Sequence, residues 1–433
     1  MKRLSSTVAI VAVTWLTVAV GAQEWQQWSG PDGDFTVASG ALAESWPETG
    51  PRQLWKRPLG EGFSSILHRD GTLYTMYRNG DDEIVVALDA SSGATRWQHS
   101  DTPTLWSDMT DAFGNGPNST PLLIGDRLVA PGIAGRLRGL DASSGELVWQ
   151  RDLPEDFGRR RRVEEYGYSA NPVVYGGRVL VLVGGDQHAV VALNPADGSV
   201  VWKSEAGGVS YAQPSILRLA GRDQFVYFSP QGVVALDPTT GETLWTSPIE
   251  FNNGNHLTPA VSCDDEHLWI GSQFESGGGR LLRIRSQDGG LNAEQVWFDA
   301  RLQTSHWPMI RRGDLIYGST GGNRVSFLSA FDWRTGKVAW KKRGYHKAQI
   351  LHADGKFLFL TEDGRLVLAR MSPEELQVLA EAKVTGRVSW SLPTLVSTTL
   401  YLRDQEHVLA QRRLRSTRPV GAGKAKAGCR HNL

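Results

Sequence analysis

One eleven-residue pattern recurs along the chain and limits what it can fold into. Ala87-Leu88-Asp89-Ala90-Ser91-Ser92-Gly93-Ala94-Thr95-Arg96-Trp97 returns around Asp141, Gly145 and Trp149, then around Asn194, Gly198 and Trp202. It returns again around Asp237, Gly241 and Trp245, and around Asp332, Gly336 and Trp340. A stretched copy ends at Trp297, and a decayed one runs from Ala369 to Leu379, with leucine in the tryptophan place. Successive tryptophans fall about 42 to 53 residues apart, the period of a four-stranded propeller blade.

Each part of the pattern has a physical task. A β-branched run such as Ile84-Val85-Val86 builds a strand. Asp89 ends it by accepting backbone N–H groups in the turn, and Gly93 supplies the positive φ that closes the turn. The next strand carries Trp97 over neighbouring apolar surface. The 48 glycines, 20 prolines and 16 tryptophans agree with many short strands and tight turns, and not with a helical bundle.

Blades ending at Trp97, Trp149, Trp202, Trp245, Trp297, Trp340 and Leu379 make seven. An eighth starts near Trp390-Ser391-Leu392-Pro393 and continues through Thr399–Leu402 and Val408-Leu409-Ala410, with no outer strand of its own. Gln53-Leu54-Trp55-Lys56 is an orphan outer strand about 42 residues before Trp97. Docked beside the last blade, it closes the ring and removes the exposed seam. The fold class expected is therefore all-β: an eight-bladed β-propeller of four-stranded antiparallel blades, closed by an N-terminal outer strand. The expected division is a signal peptide over 1–22, a lead-in over 23–51, the propeller over 52–414 and a disordered basic tail over 415–433.

The signal peptide is read from Lys2-Arg3, the apolar run Val8–Val20 and the small residues before Gln23. The run is short for a bilayer span, and no later segment is apolar enough. Export, to the periplasm or beyond, follows. Basic and acidic residues balance at 46 each, so no global field attracts nucleic acid. Cys263 and Cys429 could pair or stay free, since nothing in the sequence sets their separation.

The repeat resembles that of the pyrroloquinoline-quinone-type propellers, which include quinoprotein dehydrogenases and the outer-membrane barrel-assembly lipoprotein. Trp25-Gln26-Gln27-Trp28-Ser29-Gly30-Pro31 is similar to that family's opening, with Ser29 in an arginine place. Leu59-Gly60-Glu61-Gly62-Phe63-Ser64-Ser65, Tyr168-Ser169-Ala170-Asn171-Pro172 and Thr361-Glu362-Asp363-Gly364 extend the likeness across roughly Trp25 to Leu414. The resemblance implies the fold, and a shared fold does not carry activity.

A propeller site is expected at the mouth of the central channel, beside the connections that follow each tryptophan. The longest are Gln98–Ser119 and Gln150–Ser169. The candidates are Asn118, Tyr168, Asn171, Tyr211, Gln213, Asn255, His256, His306, Trp307, His346 and Trp390. They can bind a small polar or planar ligand, or satisfy water and backbone in a wet channel. Arg159-Arg160-Arg161-Arg162 can hold an anionic partner, or be balanced locally by Asp152, Glu155, Asp156, Glu164 and Glu165. Gly277-Gly278-Gly279 lacks the Lys-Ser or Lys-Thr of a phosphate loop, and the Asn118-Ser119-Thr120 sequon is followed by Pro121.

Three functions follow. The first is an exported, non-catalytic, monomeric scaffold that binds an unknown protein or a small polar ligand, without cofactor or metal; no nucleophile elbow or zinc motif is present. The second is a pyrroloquinoline-quinone-dependent oxidoreductase. The resemblance implies for it an adjacent cysteine pair and Ca²⁺ on a glutamate, an asparagine and an aspartate. Adjacent cysteines and a Cys-x-x-Cys-His haem motif are both absent, although a site of His, Arg and Lys alone stays open. The third is a hydrolase or lyase using His256, His306 and His346 as bases.

Overall fold

The computed structural model describes residues 24–105, 114, 116–158, 166–185, 188–205, 207–249, 258–273, 277–287, 289–322 and 325–412. The expected signal peptide and basic tail, the Arg159–Arg162 run, Asn255, His256 and Cys429 lie outside these residues.

Eight sheets of meandering antiparallel strands form the ring. Blade 1 comprises Leu67–Arg69, Thr72–Asn79, Asp82–Asp89 and Thr95–Asp101, from the channel outward. Blades 2 to 7 repeat the order over 122–152, 173–203, 215–248, 261–299, 309–342 and 349–383. Blade 8 takes three strands from the end of the chain, Thr394–Val396, Thr399–Arg403 and His407–Arg412, and its fourth from Arg52–Pro58. Trp55 lies opposite Ala410, Lys56 opposite Leu409 and Arg57 opposite Val408. Closure through the orphan strand is therefore as the repeat requires.

The register explains the motif. In blade 1 Ala87 faces Trp97 while Leu88 faces Thr95, so Arg96 bulges out of the ladder. The same bulge precedes Trp149, Trp202, Trp245, Trp297 and Trp340, and precedes Trp55 in the blade assembled from both ends. It turns each indole toward the next blade. Trp97 Nε1 donates to Ala142 O at 3.1 Å, Trp149 Nε1 to Pro195 O at 2.8 Å and Trp340 Nε1 to Ser372 O at 2.9 Å. The indoles of Trp55, Trp97, Trp149, Trp202 and Trp297 also cover the turn glycine of the neighbouring blade, whereas Trp245 and Trp340 meet no such glycine. A Cβ at Gly145 would sit 2.5 Å from Trp97 Cε3, and one at Gly198 would sit 2.6 Å from Trp149 Cε3. The glycine thus serves a positive φ and a close approach together.

Blade 7 requires one correction. Leu368 faces Ala380 and Ala369 faces Val378, so Leu379 is the bulged residue and Ala380 holds the tryptophan place. The cause is a longer hairpin: the ladder continues past the bulge through Arg370 opposite Gln377 and Met371 opposite Leu376 to a tight turn at Ser372–Glu375, which shifts the outer strand relative to the sequence pattern.

Blade faces pack through buried aliphatic and aromatic side chains, with Trp25, Trp269, Trp307, Trp333, Phe225 and Phe331 among the most enclosed. Two buried arginines join blades as well. Arg138 of blade 2 meets Glu83 of blade 1 at 3.1 Å, with both side chains fully buried. Arg403 of blade 8 donates to Ser64 O and Thr75 Oγ1 at 3.1 Å, to Met76 O, and to Gly60 O and Glu61 O at 3.3 and 3.2 Å.

The lead-in is built into the ring. Trp25 bridges to His68 and donates its Nε1 to Leu395 O at 2.8 Å, while Gln26 O accepts from Leu123 N. Thr36–Val37 then pairs in parallel with His352 and Ala353, a fifth strand on the channel edge of blade 7. The segment crosses the channel at the end where the inner strands finish. No helix of the described residues is long and apolar enough to cross a membrane.

Candidate functional site

Every inner strand is entered from the opposite face, and this sets the geometry of the mouth. Phe63, Asn118, Ser169, Tyr211 and Trp390 each stand four residues before an inner strand, which begins at Leu67, Leu122, Val173, Ser215 or Thr394. Equivalent steps place these side chains around one opening.

Below them runs a belt of blade-to-blade hydrogen bonds. Leu392 N donates to Ser65 Oγ at 2.9 Å, and Ser65 N to Thr120 Oγ1 at 2.9 Å. Thr120 N donates to Asn171 Oδ1, and Asn171 N to Gln213 Oε1 at 2.9 Å. Across the ring, Thr258 Oγ1 donates to Ser305 O at 2.6 Å and Ala348 N to Ser319 Oγ at 2.9 Å. Asn171 and Gln213 are both buried, and their side-chain oxygens are spent on satisfying neighbouring main chain. These two serve the belt.

Tyr168 is also interior, packed in the core between blades 2 and 3 against Gly135. Asn118 Nδ2 reaches Tyr166 O and Ser169 Oγ, each at 3.4 Å. Tyr211 accepts from Tyr166 N at 3.1 Å, and its ring meets that of Tyr166 edge-on at 5.1 Å. His346 is exposed, with Nδ1 at 3.4 Å from Ser326 Oγ.

Three candidates converge on the side of blades 6 to 8. The His306 ring lies 4.7 Å from Trp307 and 5.0 Å from Trp390, and Trp390 lies 4.8 Å from Phe63. Trp307 is fully buried and donates Nε1 to Ser319 O at 2.9 Å. Trp390 Nε1 donates to Glu362 Oε1 at 2.9 Å, Lys347 pairs with the same carboxylate, and the ammonium stands 5.1 Å above the Trp390 ring. Burial, helped by the Lys347 charge, lowers the His306 pKa to about 3, so the ring is neutral at neutral pH. Sequence reasoning named His306, Trp307 and Trp390 but passed over Lys347, Glu362 and Phe63. Phe63 carried a signal in its four-residue offset from the inner strand and Glu362 in the Thr361–Gly364 segment, whereas Lys347 had none.

Beyond the belt lies a cavity of about 500 Å³ between the lead-in and blades 3 to 6. Asp32 and Asp34 line it on one side, with Arg218, Arg311 and Arg312 on the other.

The described residues do not fit the Ca²⁺-held quinone of the alcohol dehydrogenases. They contain no group of three His, Cys, Asp or Glu side chains able to hold a metal ion. Cys263 is packed in apolar core between blades 5 and 6, where burial pushes its thiol up to about 12.

The family described as outer membrane protein assembly factor BamB matches residues 13–163, 81–265 and 257–392. The chain belongs to this family. A BamB of Shewanella oneidensis is 24% identical over 299 residues, covering 67% of this chain and 72% of that protein. Among solved structures, BamB from Moraxella catarrhalis superposes with a TM-score of 0.58 at 17% identity, covering 84% of this chain and 100% of that one. The quinohemoprotein alcohol dehydrogenase of Comamonas testosteroni superposes with a TM-score of 0.62 at 14% identity, covering 95% and 83%. At such identities the two structures speak for the fold alone. The repeat family and the eight-bladed ring are as the sequence implies.

Proposed function

We propose that this protein is an exported, non-catalytic scaffold that holds a protein partner during outer-membrane protein assembly. The observation that carries the reading is membership, along nearly all of the ring, in a family described by the name of an assembly factor. The mouth supports it. Asn171, Gln213 and Thr120 serve the ring itself, and the rest of the rim offers aromatic faces and loop backbone of the kind that protein interfaces use.

The test is site-specific photo-cross-linking in cells, with the photoreactive residue placed at Asn118, Tyr211 or His346. The scaffold reading expects discrete adducts with envelope proteins of the assembly machinery. It also expects no dye-linked alcohol oxidation by purified protein supplied with pyrroloquinoline quinone and Ca²⁺. A stoichiometric quinone complex that oxidises alcohols, without adducts, would replace it with the oxidoreductase reading.

A further inference from the structure

The channel cavity has an unusual wall. Among the described residues, the inner strands of blades 3 to 6 (Val173–Tyr175, Ser215–Leu219, Val261–Ser262 and Met309–Arg312) pair only with the second strand of their own blade. Their channel edges therefore present main-chain donors and acceptors, the template that a further extended chain can pair with. Blade 7 shows the pairing carried out, because Thr36–Val37 of the lead-in lies along its inner strand and Phe35 O accepts from His352 N at 2.9 Å. The channel thus already holds one extended segment on one side and leaves about 500 Å³ on the other. That volume is within the roughly 300–1,000 Å³ range of ligand-holding sites.

Charge narrows the occupant. Among the described residues, neither Arg311 nor Arg312 forms an ion pair. Arg311 Nε donates to Gly313 O at 3.1 Å, and Arg312 donates to Thr36 Oγ1 and His352 Nδ1. Arg218, bound to Asp223, stands beside them on the cavity wall. The segment the channel holds on its own account is an acidic turn, Pro31-Asp32-Gly33-Asp34-Phe35, running into the extended Thr36–Val37, and Asp32 and Asp34 line the same space.

We propose that the cavity binds an extended acidic peptide segment of a partner protein. It lies beside the lead-in, paired to a free inner-strand edge, with Arg311 and Arg312 taking its carboxylates. This site rests on the scaffold reading and names the chemistry of what the scaffold holds. Arg311 is the sharper handle of the two, because Arg312 also secures the lead-in.

The experiment uses fluorescence anisotropy on the full-length protein with labelled, acetylated Gly-Asp-Val-Asp-Val. Its Gly-Lys-Val-Lys-Val counterpart tests charge, and a backbone N-methylated version tests strand pairing. The acidic peptide should saturate one site, with affinity at least tenfold weaker for each of the other two probes and falling as salt rises. Arg311→Gln should weaken it tenfold or more while leaving the melting temperature unchanged. Arg218→Gln provides the same test from blade 4 if the first variant does not fold. Equal affinity for the lysine peptide, no saturable binding, or indifference to both arginine variants would overturn the site. The cross-linking described above separates the two failures. Adducts from the mouth persisting without peptide binding would leave the scaffold reading standing, and loss of both would remove it too.

Discussion

The indole of Trp55 lies over Gly93, with a Cβ built on that glycine only 2.7 Å from Trp55 Cε3, and its Nε1 donates to Ala90 O at 3.1 Å. The tryptophan belongs to the N-terminal strand of blade 8 and the glycine to the first motif turn of blade 1. The contact that joins blades 1 to 4 in turn, and blade 5 to blade 6, thus also joins the chain's two ends.

Gly93 has φ +73°, so an alanine there meets both backbone strain and the indole. Gly93→Ala should cost about 2 kcal/mol or more. Trp55→Ala should cost about 2–3 kcal/mol through lost apolar burial and one hydrogen bond. Because both act on the same contact, the double variant should fall short of the sum. Urea unfolding midpoints of the three variants check this.

Glu83 and Arg138 lie fully buried between blades 1 and 2, and Glu83 Oε1 also accepts from Ile133 N at 3.1 Å. Burial raises the Glu83 pKa against the pull of Arg138. Arg138→Met alone should cost about 3–5 kcal/mol by leaving a buried carboxylate uncompensated, and adding Glu83→Leu should recover much of it. Chemical denaturation of the single and double variants measures the recovery.

His306 and His352 have folded pKa values of about 3 and about 4, below the ordinary 6.5, burial being the main cause in each. Arg312 adds to the effect at His352. As pH falls below 6.5 the unfolded chain takes up protons that the folded rings refuse. This part of the stability is complete above 6.5 and is lost on acidification. His306→Phe keeps a ring beside Trp390 and should flatten the loss between pH 6.5 and 5 by about 1 kcal/mol, allowing for its partial exposure. Denaturation midpoints across that range give the slope.

Asn171→Ala removes the acceptor for Thr120 N inside the belt. One buried N–H left unpaired should cost about 1–3 kcal/mol. The loss should appear as faster amide exchange at Thr120 before any change at blade 6, which hydrogen-exchange mass spectrometry resolves.

Much of this was legible in the residues. Asp89, Gly93 and Trp97 specify a turn, a bulge and a docking indole by local chemistry, so their recurrence gave the blades and the orphan strand at Trp55 gave the closure. The site was less legible. Asn171 and Gln213 look like ligand donors until the neighbouring main chain is seen to claim them. Tyr168 and Trp307 sit near the mouth in sequence, but packing draws them inside. Lys347 and Glu362 acquire meaning only because blades 7 and 8 bring them to Trp390, and the lead-in's place in the channel depends on pairing across more than 300 residues. The slip at Leu379 has the same origin, since an altered turn moves the register without marking the strand.

Native-state hydrogen exchange over Arg52–Pro58 and His407–Arg412 tests the shared blade most directly. The two strands should be protected to the same extent and should lose protection together in Trp55→Ala. Exchange of Arg52–Pro58 at free-peptide rates, with His407–Arg412 still protected, would contradict a ring fastened by its N-terminal strand.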